Sequence, residues 1–552
     1  MSRASLAFLL VAAATVAAPV TYDRILHADK EPQNWFTYSG DYASRRYSEL
    51  TQINKDNVKK LQLKWVYAPK TTFKVQNTPL VVDGVMYTGT TSEIMAVDAV
   101  TGRVFWTFTH TVDPKGVFVL PMNKGLAIAG DSLFWATLDG HLISIDAKSG
   151  RQNWDHIVAV WQKGYQFNVA PLVVKDKVIF GPATNEEGAN CWVGAYDVKT
   201  GKELWRFNTT PEPGEPGNNT WPGESWKHGG GSIWVTGSYD PETNLTFWGT
   251  GNPNPGWNGD PRAPGDNLYG DSVVALDADT GKLKWYYQFT PGDGFDWDSV
   301  QVPVLAQIDW HGQPRKLMLW ANRNGFYYVL DRVNGQFLLG KAFVKQNWNV
   351  GFDEKGRPMK APDFKSSTEG TLIQPSVQGG TNWYSPSFSP RTQLFYVSSW
   401  QNGSQYSAKA PAVWKEGERY TGVGRLTGAR ARPPQRGGGL ATGGYGNSAN
   451  FKTEDEGYGA LIAIVPQTGE KKWEYKMVDF TESGVLTTAS DLVFGGGREG
   501  NFFALDARDG TPLWHTNLGG TVASGPMTYA VNGKQYVAVC GGSALYVFSQ
   551  PD

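Results

Sequence analysis

Three stretches of the chain gather oxygen ligands of the kind a hard cation takes. TNEEGANCW carries Glu186 and Glu187, WGTGNPNPGWNGD carries Asn252, and TPGDGFDWDSV carries Asp293, Asp296 and Asp298. A carboxylate, an amide oxygen and a carboxylate pair make an all-oxygen cage. Two further stretches supply binding chemistry of another kind. KHGGGSIW sets Gly229, Gly230 and Gly231 ahead of Trp234. A glycine triplet lets backbone approach a ligand closely, and a tryptophan offers a flat stacking face. ANRNGF holds Arg323, whose guanidinium fork suits paired oxygen acceptors. Each stretch alone has an ordinary reading as a solvated turn, a core tryptophan or a solvated arginine; their joint presence needs another explanation.

The three oxygen-bearing stretches lie between strand signals, where loops are expected, so the frame that positions them is β. A unit recurs: a small or apolar residue, an apolar residue, Asp, three residues, Gly, three residues, Trp. It appears as AVDAVTGRVFW, SIDAKSGRQNW, AYDVKTGKELW, ALDADTGKLKW and ALDARDGTPLW. VLDRVNGQFLL has Leu339 for Trp, and AIVPQTGEKKW has Val465 for Asp. Asp-x-x-x-Gly reads as a tight hairpin with glycine at positive φ, and the Trp four residues on can lie flat against the next unit. A period of about 40–50 residues with four short strands marks propeller blades. The units number about eight, with LQLKWVYAP and the C-terminal strands sharing a closing blade. The fold expected is therefore an all-β, eight-bladed β-propeller with tryptophan-docking blade motifs. The long spacings Asp197–Asp277 and Asp331–Val465 are expected to hold a blade without the motif plus loop insertions. GGGREG at Gly495–Gly500 matches a dinucleotide-binding pattern, but a strand and a blade turn follow it where that motif needs a helix.

Composition narrows the class. The 552 residues carry 51 Lys+Arg against 52 Asp+Glu, a balance that argues against binding nucleic acid through its phosphates. Two cysteines, Cys191 and Cys540, make neither a disulfide framework nor a Cys-x-x-Cys-His haem attachment. The N-terminal MSRASLAFLLVAAATVAAPV has a basic start, an apolar run and small residues near Ala18, which reads as a signal peptide over 1–18. The mature chain, 19–552, is then one exported, soluble, periplasmic propeller domain with no membrane span.

The blade motif together with GGGSIW, TGNPNPGW, FDWDS, NRNG and GGTNWYSP resembles the pyrroloquinoline quinone (PQQ)-dependent alcohol dehydrogenases, the methanol/ethanol dehydrogenase family. The resemblance runs from NWFTYSGDYASRRYS to the C-terminal strand. It implies that Glu186 and Asn252 bind the metal, and that Asp296 is the general base and also touches it. It places Trp234 on one face of PQQ with Ser232 beside it, Arg323 on the quinone oxygens and Asp296, and Asn382 at the polar edge of the ring system. Asp298, two residues after the base, resembles the lanthanide-using branch; calcium enzymes usually carry a small uncharged residue there. A trivalent ion gains more than a divalent one from an extra anionic ligand.

The chain also departs from the family. The adjacent cysteine pair that usually covers the second face of PQQ is absent, and Phe118 and Val119 stand in its place. Lys124 stands for a usual Arg, Gln76 for a usual Glu and Asn168 for a usual Thr. Phe118 is expected to cover the ring instead of the disulfide. The activity implied is oxidation of primary alcohols to aldehydes, with a lanthanide ion, or Ca2+ as the alternative, acting as Lewis acid. The electrons would pass to an external cytochrome c, and a homodimer is among the open oligomeric states. The competing readings are a non-catalytic exported propeller scaffold and a glycosidase using paired carboxylates.

Overall fold

The computed structural model describes residues 18–71, 73–113, 115, 118, 121–184, 186–426 and 457–551. Among the described residues, eight sheets built on four antiparallel strands follow one another along the chain: blades 1 to 8 occupy 80–109, 127–157, 172–208, 238–288, 304–342, 387–476, 486–517 and 527–549. Blade 7 gains a fifth strand, Tyr47–Ser48, paired parallel to Leu486–Thr488. Blade 8 takes its outermost strand, Gln62–Tyr67, from the other end of the chain. The ring is thus closed by hydrogen bonds between its two ends, as expected from LQLKWVYAP, and no open edge is left at the join.

The repeated motif works as its chemistry suggests. In blade 1, Asp98 Oδ1 accepts the backbone N–H groups of Val100 and Thr101, each at 2.9 Å, and Gly102 turns the chain at φ 73°. The motif tryptophan then docks on the glycine of the next blade. Trp106 of blade 1 donates its indole N–H to Ala147 O of blade 2 at 3.1 Å, and a Cβ at Gly150 would lie 2.6 Å from its ring. Trp65 on Gly102, Trp205 on Gly281 and Trp473 on Gly510 repeat the arrangement. Even the degenerate copy keeps the contact, with Leu339 of blade 5 against Gly469 of blade 6.

One expectation needs correction. Among the described residues the long spacings hold no extra blade: Asp197 and Asp277 belong to successive blades 3 and 4, Asp331 ends the third strand of blade 5, and Val465 directly follows the third strand of blade 6. SYDPETNLTFW and SFSPRTQLFYV are the first hairpins of blades 4 and 6. The described part of the extra length is loop with two small hairpin-like pairings, Asn349–Phe352 with Pro358–Lys360 and Thr371–Ile373 with Gln405–Ser407. A missing motif and an insertion give the same spacing, and only strand pairing separates them.

Each blade runs from a buried first strand, such as Leu80–Val82, to a fourth strand that alternates into solvent, such as Val104–Thr109. Residues 33–46 cross the first strands. Backbone hydrogen bonds join Gln33 to Ala530, Trp35 to Val81, Tyr42 to Tyr239, Ala43 to Leu305, Arg45 to Phe388 and Arg46 to Thr487. This segment ties six blades together. The signal-peptide reading of 1–18 lies almost wholly outside the described residues, as do Val119 and most of the basic Gly-rich insertion.

Candidate active site

In an antiparallel blade, the loop entering the first strand and the turn between the second and third strands lie at the same end. Every residue singled out from the sequence is on one or the other. Gln76, Lys124, Asn168, Ser232 with Trp234, Asp296 with Asp298, and Asn382 precede the first strands of blades 1 to 6 in turn. Glu186, Asn252 and Arg323 follow the second strands of blades 3, 4 and 5. The topology alone therefore delivers them to one end of the propeller.

At the centre is Arg323. Its Nη2 donates to Asp296 Oδ2 at 3.1 Å, its Nη1 to Asp298 Oδ2 at 2.9 Å, and its Nε to Val377 O at 2.6 Å. All three side chains are buried. Asp298 also accepts the Trp234 indole N–H on Oδ2 at 3.2 Å and the Asn252 backbone N–H on Oδ1 at 2.7 Å. A side chain at Gly251 would run into both Ser232 Oγ and Asp298 Oδ1; that is the physical reason for glycine in TGNPNPGW. One guanidinium holds both aspartates from the same side. They converge on one region and do not oppose each other across a substrate, which counts against the glycosidase reading.

The atoms left for a cation follow from this network. Asn252 donates its amide nitrogen to Pro253 O at 3.2 Å, while its Oδ1 accepts none of the hydrogen bonds among the described residues. The same holds for Asp296 Oδ1. Asp298 Oδ1 carries a single hydrogen bond and so keeps acceptor capacity. Asp296 and Glu186 both adopt left-handed backbone, at φ 59° and 68°, a conformation that side chains other than glycine tolerate at a cost and that clusters at functional sites.

Charge makes the same point. Burial pushes the Asp296 carboxyl well above the usual carboxylate range; Arg323 opposes this, while Asp298, Glu186 and Asp293 add to it. Asp271, which the sequence reading passed over, is also buried and pushed well up by burial and then by Asp293 and Asp298; neither of its carboxylate oxygens has a hydrogen-bond partner. Arg323 opposes the upward push on Asp296 and buried Arg262 opposes that on Asp271 and Asp293, yet all three carboxyls stay raised. The site is therefore short of positive charge, which a multivalent cation among oxygen ligands would supply.

Glu186 shows a contact that no motif signals. Arg419 Nη2 lies 2.9 Å from Glu186 Oε2, and the backbone N–H of Tyr420 donates to Glu186 O at 2.7 Å. Trp414, stacked on His228 at 3.9 Å, donates its indole N–H to Glu187 O at 3.1 Å. The loop from blade 6 thus covers the Glu186 turn of blade 3.

Beside the carboxylates is an aromatic cleft. The Lys124 ammonium lies 4.9 Å from the ring centroids of both Trp234 and Trp383, and 3.4 Å from Gln76 Oε1. Burial, with a further push from Lys74, brings its pKa down to about 7. The backbone of Lys124 bonds to Thr78 on one side and Asn168 on the other, so the entry loops of blades 1 to 3 run side by side. Asn168 Oδ1, Gln166 Oε1 and Thr236 Oγ1 are buried without partners. Flat indoles, a buried cation and orphaned polar atoms fit a planar, polycarboxylate ring system such as PQQ. Asn382 is turned into its own loop, its amide donating to Gln378 O at 3.1 Å and its Oδ1 accepting from Trp383 N at 2.9 Å. Phe118 packs edge-on against Trp161 at 6.0 Å. Neither cysteine forms a disulfide.

Known proteins are similar to this chain in sequence and fold. The family model described as the PQQ glucose/ethanol/alcohol dehydrogenase β-propeller domain matches residues 35–341 and 354–537. A quinohemoprotein alcohol dehydrogenase of Comamonas testosteroni is 37% identical over 528 residues, covering 92% of this chain and 72% of the relative. A lanthanide-dependent methanol dehydrogenase of Methylacidiphilum fumariolicum (strain SolV) is 34% identical over 549 residues, covering 94% and 86%. The solved structure of a europium-containing methanol dehydrogenase superposes with a TM-score of 0.85 at 31% identity, covering 96% of this chain and all of that one. With fold and sequence in agreement over nearly its whole length, the chain belongs to the family of PQQ-dependent alcohol dehydrogenases.

Proposed function

We propose that this protein oxidises primary alcohols to aldehydes with PQQ and a lanthanide ion, Ca2+ being the alternative, and passes the electrons to an external cytochrome c. The observation that carries the reading is the Arg323 fork shared by Asp296 and Asp298, with Trp234 bonded to the same carboxylate, in a buried region short of positive charge. A non-catalytic scaffold gains nothing from burying such a cluster, since unpaired buried charge is costly.

Bound in the cleft, PQQ would supply the hydride acceptor for the alcohol carbon, and the metal would supply Lewis acidity. Glu186, Asn252, Asp296 and Asp298 would hold the metal. Trp234 would stack on the ring with Ser232 beside it, and Lys124, Gln76, Asn168, Arg323 and Asn382 would meet its polar groups. Asp296 takes the hydroxyl proton at Oδ1, the oxygen that Arg323 leaves unengaged. Arg323 holds Asp296 in place, and its charge opposes the upward push of burial on the carboxyl. Residues 1–18 support export, so the site would work in the periplasm, within one propeller over 19–552. No helix among the described residues is long and apolar enough to cross a membrane.

The test is dye-linked alcohol oxidation by purified protein given PQQ with La3+ or Ca2+. Turnover is expected in wild type and loss of turnover with retained PQQ in Asp296→Asn. Asparagine tolerates the left-handed backbone at this position, so the variant should fold. Full activity in Asp296→Asn would refute the base assignment.

A further inference from the structure

A second group of metal-ligating side chains lies on the same end of the propeller, between blades 1 and 2. His110 follows the last strand of blade 1, Val104–Thr109; Asp139 and His141 lie at the turn after the second strand of blade 2, Ser132–Ala136. This is the turn that in blades 3, 4 and 5 carries Glu186, Asn252 and Arg323. His110 Nε2 is 2.9 Å from Asp139 Oδ2, His141 Nε2 is 4.0 Å from the same oxygen, and the three ligand atoms all lie within 4.8 Å of one another. The side chains are 15%, 8% and 21% exposed, so the group is built into the fold yet reachable by an ion.

Two features around the group point to a ligand. His141 Nδ1 lies 2.7 Å from Asp155 Oδ1; with the proton on Nδ1, the free lone pair is on Nε2, the nitrogen on the side of Asp139. A carboxylate behind a histidine is the usual outer partner of a metal-binding imidazole. Thr137 Oγ donates to Asp139 Oδ1 at 2.6 Å and leaves Oδ2 as the oxygen shared by both rings. The Trp135 ring, edge-on to His110 at 6.0 Å, walls one side.

We propose that His110 Nε2, Asp139 Oδ2 and His141 Nε2 bind a divalent transition-metal ion of the Zn2+ class, with solvent completing the shell. Bonds of about 2.0–2.2 Å in a tetrahedral shell put ligand atoms roughly 3.3 Å apart. The His110–Asp139 pair has to open by a few tenths of an ångström and His141 has to swing in, movements within reach of side-chain rotation. Two neutral imidazoles and the carboxylates of Asp139 and Asp155 balance a 2+ ion. The two nitrogen ligands separate this site from the all-oxygen group near Arg323, which favours harder ions. Occupied, the ion pins the start of the link that leads from His110 to Lys124 against blade 2.

The test uses tag-free protein dialysed free of transition metals and titrated with Co2+, then Zn2+. The result expected is one equivalent of Co2+ with a visible absorption band of nitrogen-ligated cobalt, displaced by Zn2+ and insensitive to excess La3+, and a melting temperature raised by Zn2+. His141→Gln and Asp139→Asn should each abolish the band, and Asp155→Asn should weaken binding roughly 10–100-fold. Asp296→Asn and His27→Gln should bind as wild type does. Absence of saturable binding overturns the proposal, and so does binding unchanged in His141→Gln and Asp155→Asn. Those two positions are partly exposed, so they decide the matter if Asp139→Asn does not fold.

Discussion

Asp298→Ala separates two roles that the structure assigns to one carboxylate. Asp298 accepts hydrogen bonds from Asn252 N at 2.7 Å, Arg323 Nη1 at 2.9 Å and Trp234 Nε1 at 3.2 Å. Truncation removes the shared acceptor of three donors in a buried setting, one of them on the Arg323 guanidinium, which keeps its pairing with Asp296. Breaking a buried ion pair by removing one partner costs about 3–5 kcal/mol, so the metal-free variant should be less stable by that order but still folded. The second effect concerns which ion is chosen. Two unit charges about 4 Å apart in a medium of effective dielectric about 20 interact by roughly 4 kcal/mol. A trivalent ion carries one unit more than Ca2+, so losing the carboxylate should cut the La3+ over Ca2+ preference by on the order of a thousandfold. The assay is alcohol-dependent dye reduction at graded La3+ and Ca2+, with urea unfolding of the metal-free proteins as the stability control. A variant whose two metal affinities fall in equal proportion would refute the charge argument. A variant as stable as wild type would refute the hydrogen-bond reading.

Three further outcomes follow from the same geometry. Lys124 has its pKa lowered to about 7 by burial, so above that pH a carboxylate-bearing cofactor must bring a proton to restore the ammonium. PQQ affinity should fall about tenfold per pH unit between about 7 and 10 and lose this slope in Lys124→Met, as read by fluorescence titration. Arg419→Ala removes the half-exposed guanidinium beside Glu186 and should tighten metal binding about two- to fivefold, measured by calorimetry. Metal-free protein should lose stability as pH rises above the ordinary carboxylate range. Asp296 and Asp271 are held protonated in the fold and ionise more readily when it opens, so the unfolded chain binds fewer protons. Thermal melts from pH 4 to 8 check this, and adding the cation should reverse the trend.

The frame and most of the candidate site were legible in one dimension because both rest on local chemistry. Asp-x-x-x-Gly turns the chain through hydrogen bonds between residues two to four apart, and its Trp needs only a glycine on the next unit. An antiparallel blade sends alternate loops to one end, so residues in the right loops must meet there whatever the details. The sequence by itself therefore determined the blades, their docking and which loops carry Glu186, Asn252, Asp296, Asp298 and Arg323. Only the tertiary structure decided the contacts between distant segments. Arg419 meets Glu186 across 233 positions, Lys124 enters the gap between Trp234 and Trp383, Asp271 is buried without a partner, and His110 meets Asp139 and His141. None of these has a spacing that repeats, because each is set by how loops of different length fold over a ring closed by packing. Side-chain partners across such a ring are fixed by the geometry of the whole, and no window of sequence contains it.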